Sequence, residues 1–473
     1  MCHNHKKITT RREFLSKTSM GLGAMSLASL LNPSSLLGMG SGGSTGTQIV
    51  PKAKRIIYLY MVGAPSQLDL FDYKPQLIKM NGQNLPQSVL GDRLTGTVST
   101  QASLPIVGTR WDFKQRGNSG MWMSDLMPHM SQITDELCMV NSMHTESVQH
   151  EPAQMFNLTG SELAGRPTFG SWVSYGLGSD NENLPAFIVL QTEGLEGPFS
   201  GLMSSAFLPA EHQGVRFRGG KDPVLFLNNP AGVSKEMRRE QLDHLHKMQV
   251  EAHGFWDDPS IKAKMAQYEM AFRMQTSVPE AVGTEGEPDY IYEQYGPDSK
   301  KPGTFAANCL LARRLAERDV KFIQVYHGGW DHHEDLPKSI AKRTKETDQA
   351  SAALIMDLKQ RGLLEDTLVV WGGEFGRTGF SQGQATKTTF GRDHHPDAYT
   401  TILAGAGVKK GFTYGKTDDF GYHVTENPVH VHDMNATLMH LMGVDHEKLT
   451  YKYKGRRFRL TDVHGKVMKD LLT

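Results

Sequence analysis

Val320-Lys-Phe-Ile-Gln-Val-Tyr326 is an apolar run that ends in His327-Gly-Gly-Trp-Asp-His-His333. A helical segment follows. A second apolar run, Thr367-Leu-Val-Val-Trp371, then ends in Gly372-Gly-Glu-Phe-Gly-Arg377, and a glycine- and threonine-rich loop leads to Gly391-Arg-Asp-His-His-Pro396. Amphipathic helices over 302–319 and 340–362 alternate with the two runs. That order predicts an α/β fold with a mostly parallel central sheet flanked by helices. Ligands of such sheets gather beyond the carboxyl ends of the strands, where these Asp, Glu and His clusters fall. A metal centre is expected there.

Outward from this stretch, Arg55 to Gly63 is the expected first strand, ending in Ala64-Pro-Ser-Gln-Leu-Asp-Leu-Phe-Asp72. Residues 76–120 show little periodicity and read as a loop insertion. Leu137 to Ser142 is a strand that runs through Met143-His-Thr-Glu-Ser-Val-Gln-His150 into a helix starting at Glu151-Pro152, since Pro suits a first turn. Thr168 to Tyr175 reads as helix, and Leu184 to Leu190 and Tyr399 to Ala404 as further strands. Dense charges with Met and Leu at helical spacing mark a helical insertion around 230–300. Asp433 is the expected N-cap of a helix over Met434 to Met442.

Lys+Arg and Asp+Glu each total 51. That balance gives no electrostatic footprint for nucleic acid or an anionic membrane. Hydrophobic content of 38% is enough for one large domain, placed here over 46–473. The three cysteines include Cys138 and Cys309, which read as small core residues and supply neither a disulfide framework nor a thiolate site.

Thr10-Arg-Arg-Glu-Phe-Leu15 precedes a short apolar segment, Met20 to Leu31. This resembles a twin-arginine export signal, so residues 1–45 are read as signal and linker and the mature chain as periplasmic or extracellular. A membrane anchor is the alternative, but the apolar segment falls short of the roughly 20 residues a span needs. No integral membrane segment is expected after cleavage.

Among candidate ligands, Asp331 and His333 follow two glycines that let the chain turn tightly. The plainer reading makes Trp330 a core cap and its polar neighbours ordinary loop residues. Glu374 follows an apolar strand, where a carboxylate is costly unless paired or metal-bound. An ion pair with Arg377 would also satisfy it. Asp393, His394 and His395 form the densest triplet, one histidine serving as an outer partner. Asp69 and His144 complete the metal candidates. Imidazole with carboxylate suits Zn or Mn, as one or two ions, with Ca a further candidate. His150 and Thr145 are the candidates for nucleophilic or acid–base work near a helix start that favours an anion. Capping by Thr145 or Ser147 is the bland alternative there. Arg377 and Arg392 are expected to clamp the anion bidentately.

Thr10-Arg-Arg-Glu-Phe-Leu15, Gly63-Ala-Pro-Ser-Gln-Leu-Asp-Leu-Phe-Asp-Tyr-Lys-Pro75, His327-Gly-Gly-Trp-Asp331, Gly373-Glu-Phe-Gly-Arg-Thr378, Gly391-Arg-Asp-His-His-Pro396 and Val431 to Leu449 together resemble the bacterial domain of unknown function 1501 family. The resemblance implies a sulfatase-like protein with the alkaline phosphatase-like fold. By position, Asp69 resembles that superfamily's strand-one carboxylate ligand, and Asp331 with His333 its Asp/His pair. His394 or His395 resembles the last His ligand, and His432-Asp433 with Thr437 a segment near the end of sulfatases. Glu374 stands where sulfatases have an Asp-His pair. His150 falls in the nucleophile slot, and the Pro-Ser-Arg that follows a sulfatase nucleophile is missing. The implied activity is metal-dependent hydrolysis of an anionic phosphate or sulfate ester. The alternative is a non-catalytic exported binding protein with a degenerate metal site, partnering a secreted cytochrome-like protein.

Overall fold

A computed structural model describes residues 46–91, 101–192, 201–220, 222–252, 259–283, 286–383, 385–386 and 388–473. The expected signal and linker over 1–45 lie outside these residues. The β-branched and aromatic runs form the strands β1 (Arg55–Met61), β2 (Leu137–His144), β3 (Phe187–Gln191), β4 (Val215–Phe217), β5 (Phe322–His327) and β6 (Thr367–Gly372). They continue with β7 (Gly376–Gln382), β8 (Gly391–His395), β9 (Tyr399–Gly405), β10 (Phe412–Tyr414), β11 (Val429–His430), β12 (Tyr451–Tyr453) and β13 (Arg456–Phe458). Nine of them make one sheet in the order β10-β2-β9-β6-β1-β5-β3-β4, with β11 also beside β2. Only β9 runs against the others, being antiparallel to both β2 and β6. The sheet is therefore mostly parallel.

The longer helices are α1 (His150–Thr159), α2 (Phe169–Leu177), α3 (Lys235–Ala252), α4 (Pro259–Val282), α5 (Asp289–Tyr295), α6 (Phe305–Ala316), α7 (Leu336–Gln360) and α8 (Val431–Leu441). They cover both faces of the sheet, because a strand's side chains alternate between two sides. Ile57, Leu59 and Met61 of β1 join Cys309, Leu315 and Leu354 in one core. Ile56, Tyr58 and Tyr60 join Trp172, Val173 and Leu438 in the other. Burial on both faces is why the central strands read as unbroken apolar runs. Cys138 and Cys309 are buried free thiols within these cores. No described helix is long and apolar enough to cross a membrane.

Three local readings change. Gly391–His395 is a strand, β8, paired antiparallel with β7, so the last acidic–imidazole cluster sits within a hairpin. The N-cap of α8 is His430, and Asp433 is the third helical residue, accepting from the His430 backbone N–H at 3.2 Å to close a capping box. Helix α1 starts at His150 with Gln149 in the cap position and no side-chain cap, so neither Thr145 nor Ser147 caps it.

Candidate metal centre

Parallel strands deliver their following loops to one edge of the sheet. From there the loop after β5 brings Asp331 and His333, the start of α1 brings His150, and β8 brings His394. A ligand atom from each lies within 4.8 Å of the other three. Asp331 Oδ1 is 2.8 Å from His333 Nε2, 3.1 Å from His150 Nε2 and 3.4 Å from His394 Nε2. The His333 and His394 Nε2 atoms are 2.9 Å apart.

The opposite nitrogen of each ring is already committed. His150 Nδ1 lies 2.7 Å from Glu374 Oε1, His394 Nδ1 lies 2.6 Å from the Val148 carbonyl, and His333 Nδ1 meets Gln382 Oε1. Each acceptor fixes the proton on Nδ1, which leaves three Nε2 lone pairs facing one point. Such outer acceptors orient imidazole ligands and raise their basicity. Four ligands at Zn-like distances of 2.0–2.1 Å in a tetrahedron would stand about 3.3 Å from one another. The three separations from Asp331 and the His333–His394 separation, 2.8–3.4 Å, approach that spacing, and the donor set of three imidazoles and one carboxylate suits a divalent transition ion. The Asp331 side chain is 41% exposed, so a small ligand can reach the centre.

With no ion in place, a proton on Nε2 turns the same contacts into hydrogen bonds to Asp331. Burial works against a charged Asp331, yet hydrogen bonds from His150, His333 and His394 and the Arg377 charge hold its carboxyl well below the usual range. Burial also opposes the charged form of His150, but bonds to Asp331 and Glu374 raise its pKa to about 9. Burial lowers the His394 pKa.

A family profile described as "Protein of unknown function (DUF1501)" matches residues 53–472. The chain belongs to the DUF1501 family. No curated protein matches this DUF1501 chain. Solved structures similar to it include a sulfatase from Pseudoalteromonas sp., at 11% identity and TM-score 0.33, covering 83% of this chain and 68% of that one. The phosphonate monoester hydrolase of Silicibacter pomeroyi has 11% identity and TM-score 0.31, covering 73% and 71%. The alkaline phosphatase of the Antarctic bacterium TAB5 has 11% identity and TM-score 0.32, covering 78% and 95%.

In this DUF1501 protein the remaining candidates stand apart from the four ligands. Asp69 is fully buried and held by Arg392, whose Nε and Nη2 lie 2.8 and 3.2 Å from its two oxygens, with Ser66 Oγ at 2.6 Å. Both oxygens are bonded and the side chain is sealed from solvent, away from the four converging ligands. Asp393 and His395 are not among the four converging ligands, and His395 Nε2 lies 2.7 Å from the Tyr422 carbonyl. His144 packs on His430, with ring centroids 5.1 Å apart. Glu374 is fully buried and accepts from Gly63 N at 2.9 Å and Gln154 Nε2 at 3.0 Å as well as binding His150, so it supports a ligand from behind.

The two arginines do not clamp an anion. Arg377 is fully buried; its Nη2 reaches Asp331 Oδ1 and the Gly63 carbonyl at 2.6 Å each, its Nε the Ala64 carbonyl and its Nη1 the Arg392 carbonyl. Arg392 Nη1 donates to the Thr378 carbonyl. Both side chains are buried with Nε, Nη1 and Nη2 all bonded to protein, so these residues brace Asp331 and Asp69. Among the described residues, Thr145 Oγ1 is buried without a hydrogen-bond partner. His150, expected as a nucleophile, is instead a ligand candidate. Gln154 went unnoticed in the sequence, although its i+4 spacing from His150 on α1 puts both side chains on the Glu374 side.

Proposed function

We propose that this protein is an exported metal-dependent hydrolase of a phosphate or sulfate ester, built on an alkaline phosphatase-like fold. One divalent ion, Zn or Mn, would be held by His150, Asp331, His333 and His394. The observation that carries this reading is the locking of three Nδ1 atoms so that three Nε2 lone pairs and one carboxylate oxygen converge. A bound ion there supplies Lewis-acid polarisation of an ester oxygen and lowers the pKa of water. The chain's own residues hold and orient that chemistry. Glu374 fixes the ring plane of His150, and Arg377 keeps Asp331 ionised and aimed. The half-exposed Asp331 side leaves an approach for the ester.

A second reading, a non-catalytic metal-binding protein with a secreted cytochrome-like partner, is favoured by one observation. Both arginines expected to hold the anion are consumed internally, so the ester would rely on the ion alone. Metal analysis of purified protein, followed by turnover of aryl phosphate, phosphodiester and sulfate substrates, separates the two. The hydrolase reading expects about one equivalent of metal and turnover lost in His333→Ala. Stoichiometric metal with no turnover would establish the binding role, and protein that takes up no metal would end both.

A further inference from the structure

Away from the metal centre, β12 and β13 form a two-stranded hairpin with Tyr451 opposite Phe458, Lys452 opposite Arg457 and Tyr453 opposite Arg456. Tyr451 to Arg459 holds five Lys or Arg and no Asp or Glu. Alternation sorts them. The aromatic face packs on Phe207, whose ring stacks on Tyr453 at 5.0 Å and 15° and meets Phe458 at 5.0 Å. The other face carries Lys452 and Arg457, both exposed.

Two features of this hairpin run against its own stability. Like charges directly opposite each other destabilise an antiparallel pair, and Lys452 and Arg457 are such a pair. The turn has φ +46° at Lys454 and +85° at Gly455, a type I′ geometry whose first position favours Asn, Asp or Gly. A lysine there is strained. Among the described residues, Lys452, Lys454 and Arg457 have no carboxylate partner, whereas Arg456 pairs with Asp462 at 2.6 Å and Arg459 with Glu447 at 3.3 Å. Three unneutralised cations thus crowd one tip.

We propose that this hairpin docks an anionic polysaccharide, with Lys452, Lys454 and Arg457 taking its carboxylate or sulfate groups. The proposal rests on nothing at the metal centre. Charge complementarity calls for a polyanion, and the bracing narrows the class. Mobile lipid headgroups gather around any set of cations and gain nothing from aromatic support. Single-stranded nucleic acid draws on base stacking, but Phe207 stacks on the Tyr453 ring and Lys454 Nζ lies over it at 5.3 Å. A polymer with a fixed charge repeat rewards cations already held at fixed spacing. Helix α1, about 15 Å long, separates His150 from Gly160, where the Leu460 carbonyl at the hairpin's end packs so closely that a Cβ would come within 1.9 Å.

The test is affinity of the full chain for heparin and dextran sulfate against neutral dextran, over a salt series. Phosphatidylglycerol vesicles and oligo-dT serve as comparison arms. The expected result is salt-sensitive binding to the sulfated polymers, roughly tenfold weaker in the Lys452→Ala/Lys454→Ala/Arg457→Ala triple variant. Lys452→Glu guards against mere unfolding, because it turns the like-charge pair into an ion pair. It should raise the melting temperature while lowering heparin affinity. No preference for sulfated over neutral dextran, or unchanged binding in both variants, would overturn the proposal. So would a stronger, variant-sensitive affinity for the vesicles or the oligonucleotide.

Discussion

The Nε2 atoms of His333 and His394 face each other at 2.9 Å while the other nitrogen of each ring is bonded to an acceptor. Two lone pairs at that distance need a cation between them, a proton or a metal ion. Zn titration by calorimetry should therefore show tight binding at pH 8 and loss of affinity on acidification, since imidazole binds metal only when unprotonated. His333→Ala or His394→Ala should weaken binding by on the order of a hundredfold.

Glu374 acts through His150. Glu374→Gln keeps the shape but removes the buried negative charge 2.7 Å from His150 Nδ1. Metal affinity should fall by roughly 10–100-fold, the usual effect of losing an outer partner. In metal-free protein the His150 pKa should drop from about 9 toward its ordinary range, because one of the two bonds that raise it is weakened. NMR titration of the imidazole signals checks this.

Asp69 and Arg392 form a buried bidentate pair with neither side chain exposed. Asp69→Ala leaves an uncompensated guanidinium and should cost about 3–5 kcal/mol. Denaturant midpoints measure the loss. Arg392 lies in the strand that carries His394, but its donors go to Asp69 and Thr378 and not to a ligand candidate, so folded Asp69→Ala protein should still bind metal.

His212 shows how stability should respond to acid. Burial lowers its pKa to about 4, and its side chain is only 12% exposed beside Ser174, 3.0 Å away. The unfolded chain takes up this proton near pH 6.5 while the folded chain resists until about 4. The unfolded state thus binds more protons between those values, and stability should fall as pH drops through that window and level off below it. The contribution is at most about 3 kcal/mol. Urea midpoints from pH 7.5 to 4 should show a shallower decline in His212→Gln.

The Arg377 and Arg392 assignments show where reading residues alone reaches its end. A guanidinium near a carboxylate cluster is equally suited to hold a substrate or to brace the carboxylates. Only burial and the count of occupied donors separate these roles. The hairpin basic run makes the same point for charge, since 51 basic and 51 acidic residues average to zero while Tyr451 to Arg459 is locally cationic. Asp393, His394 and His395 were inseparable in the sequence, and only convergence with His150, Asp331 and His333 selected His394.

By itself the sequence determined the mostly parallel α/β architecture and the loop that bears Asp331 and His333. Apolar runs and helical spacing are local patterns, and a parallel sheet sends its following loops to one edge. Only the tertiary structure decided that His150 joins Asp331, that Glu374 stands behind it and that Asp69 is sealed by Arg392. Those roles depend on hydrogen-bond partners some 180–320 residues away, and no local pattern encodes which donor meets which acceptor.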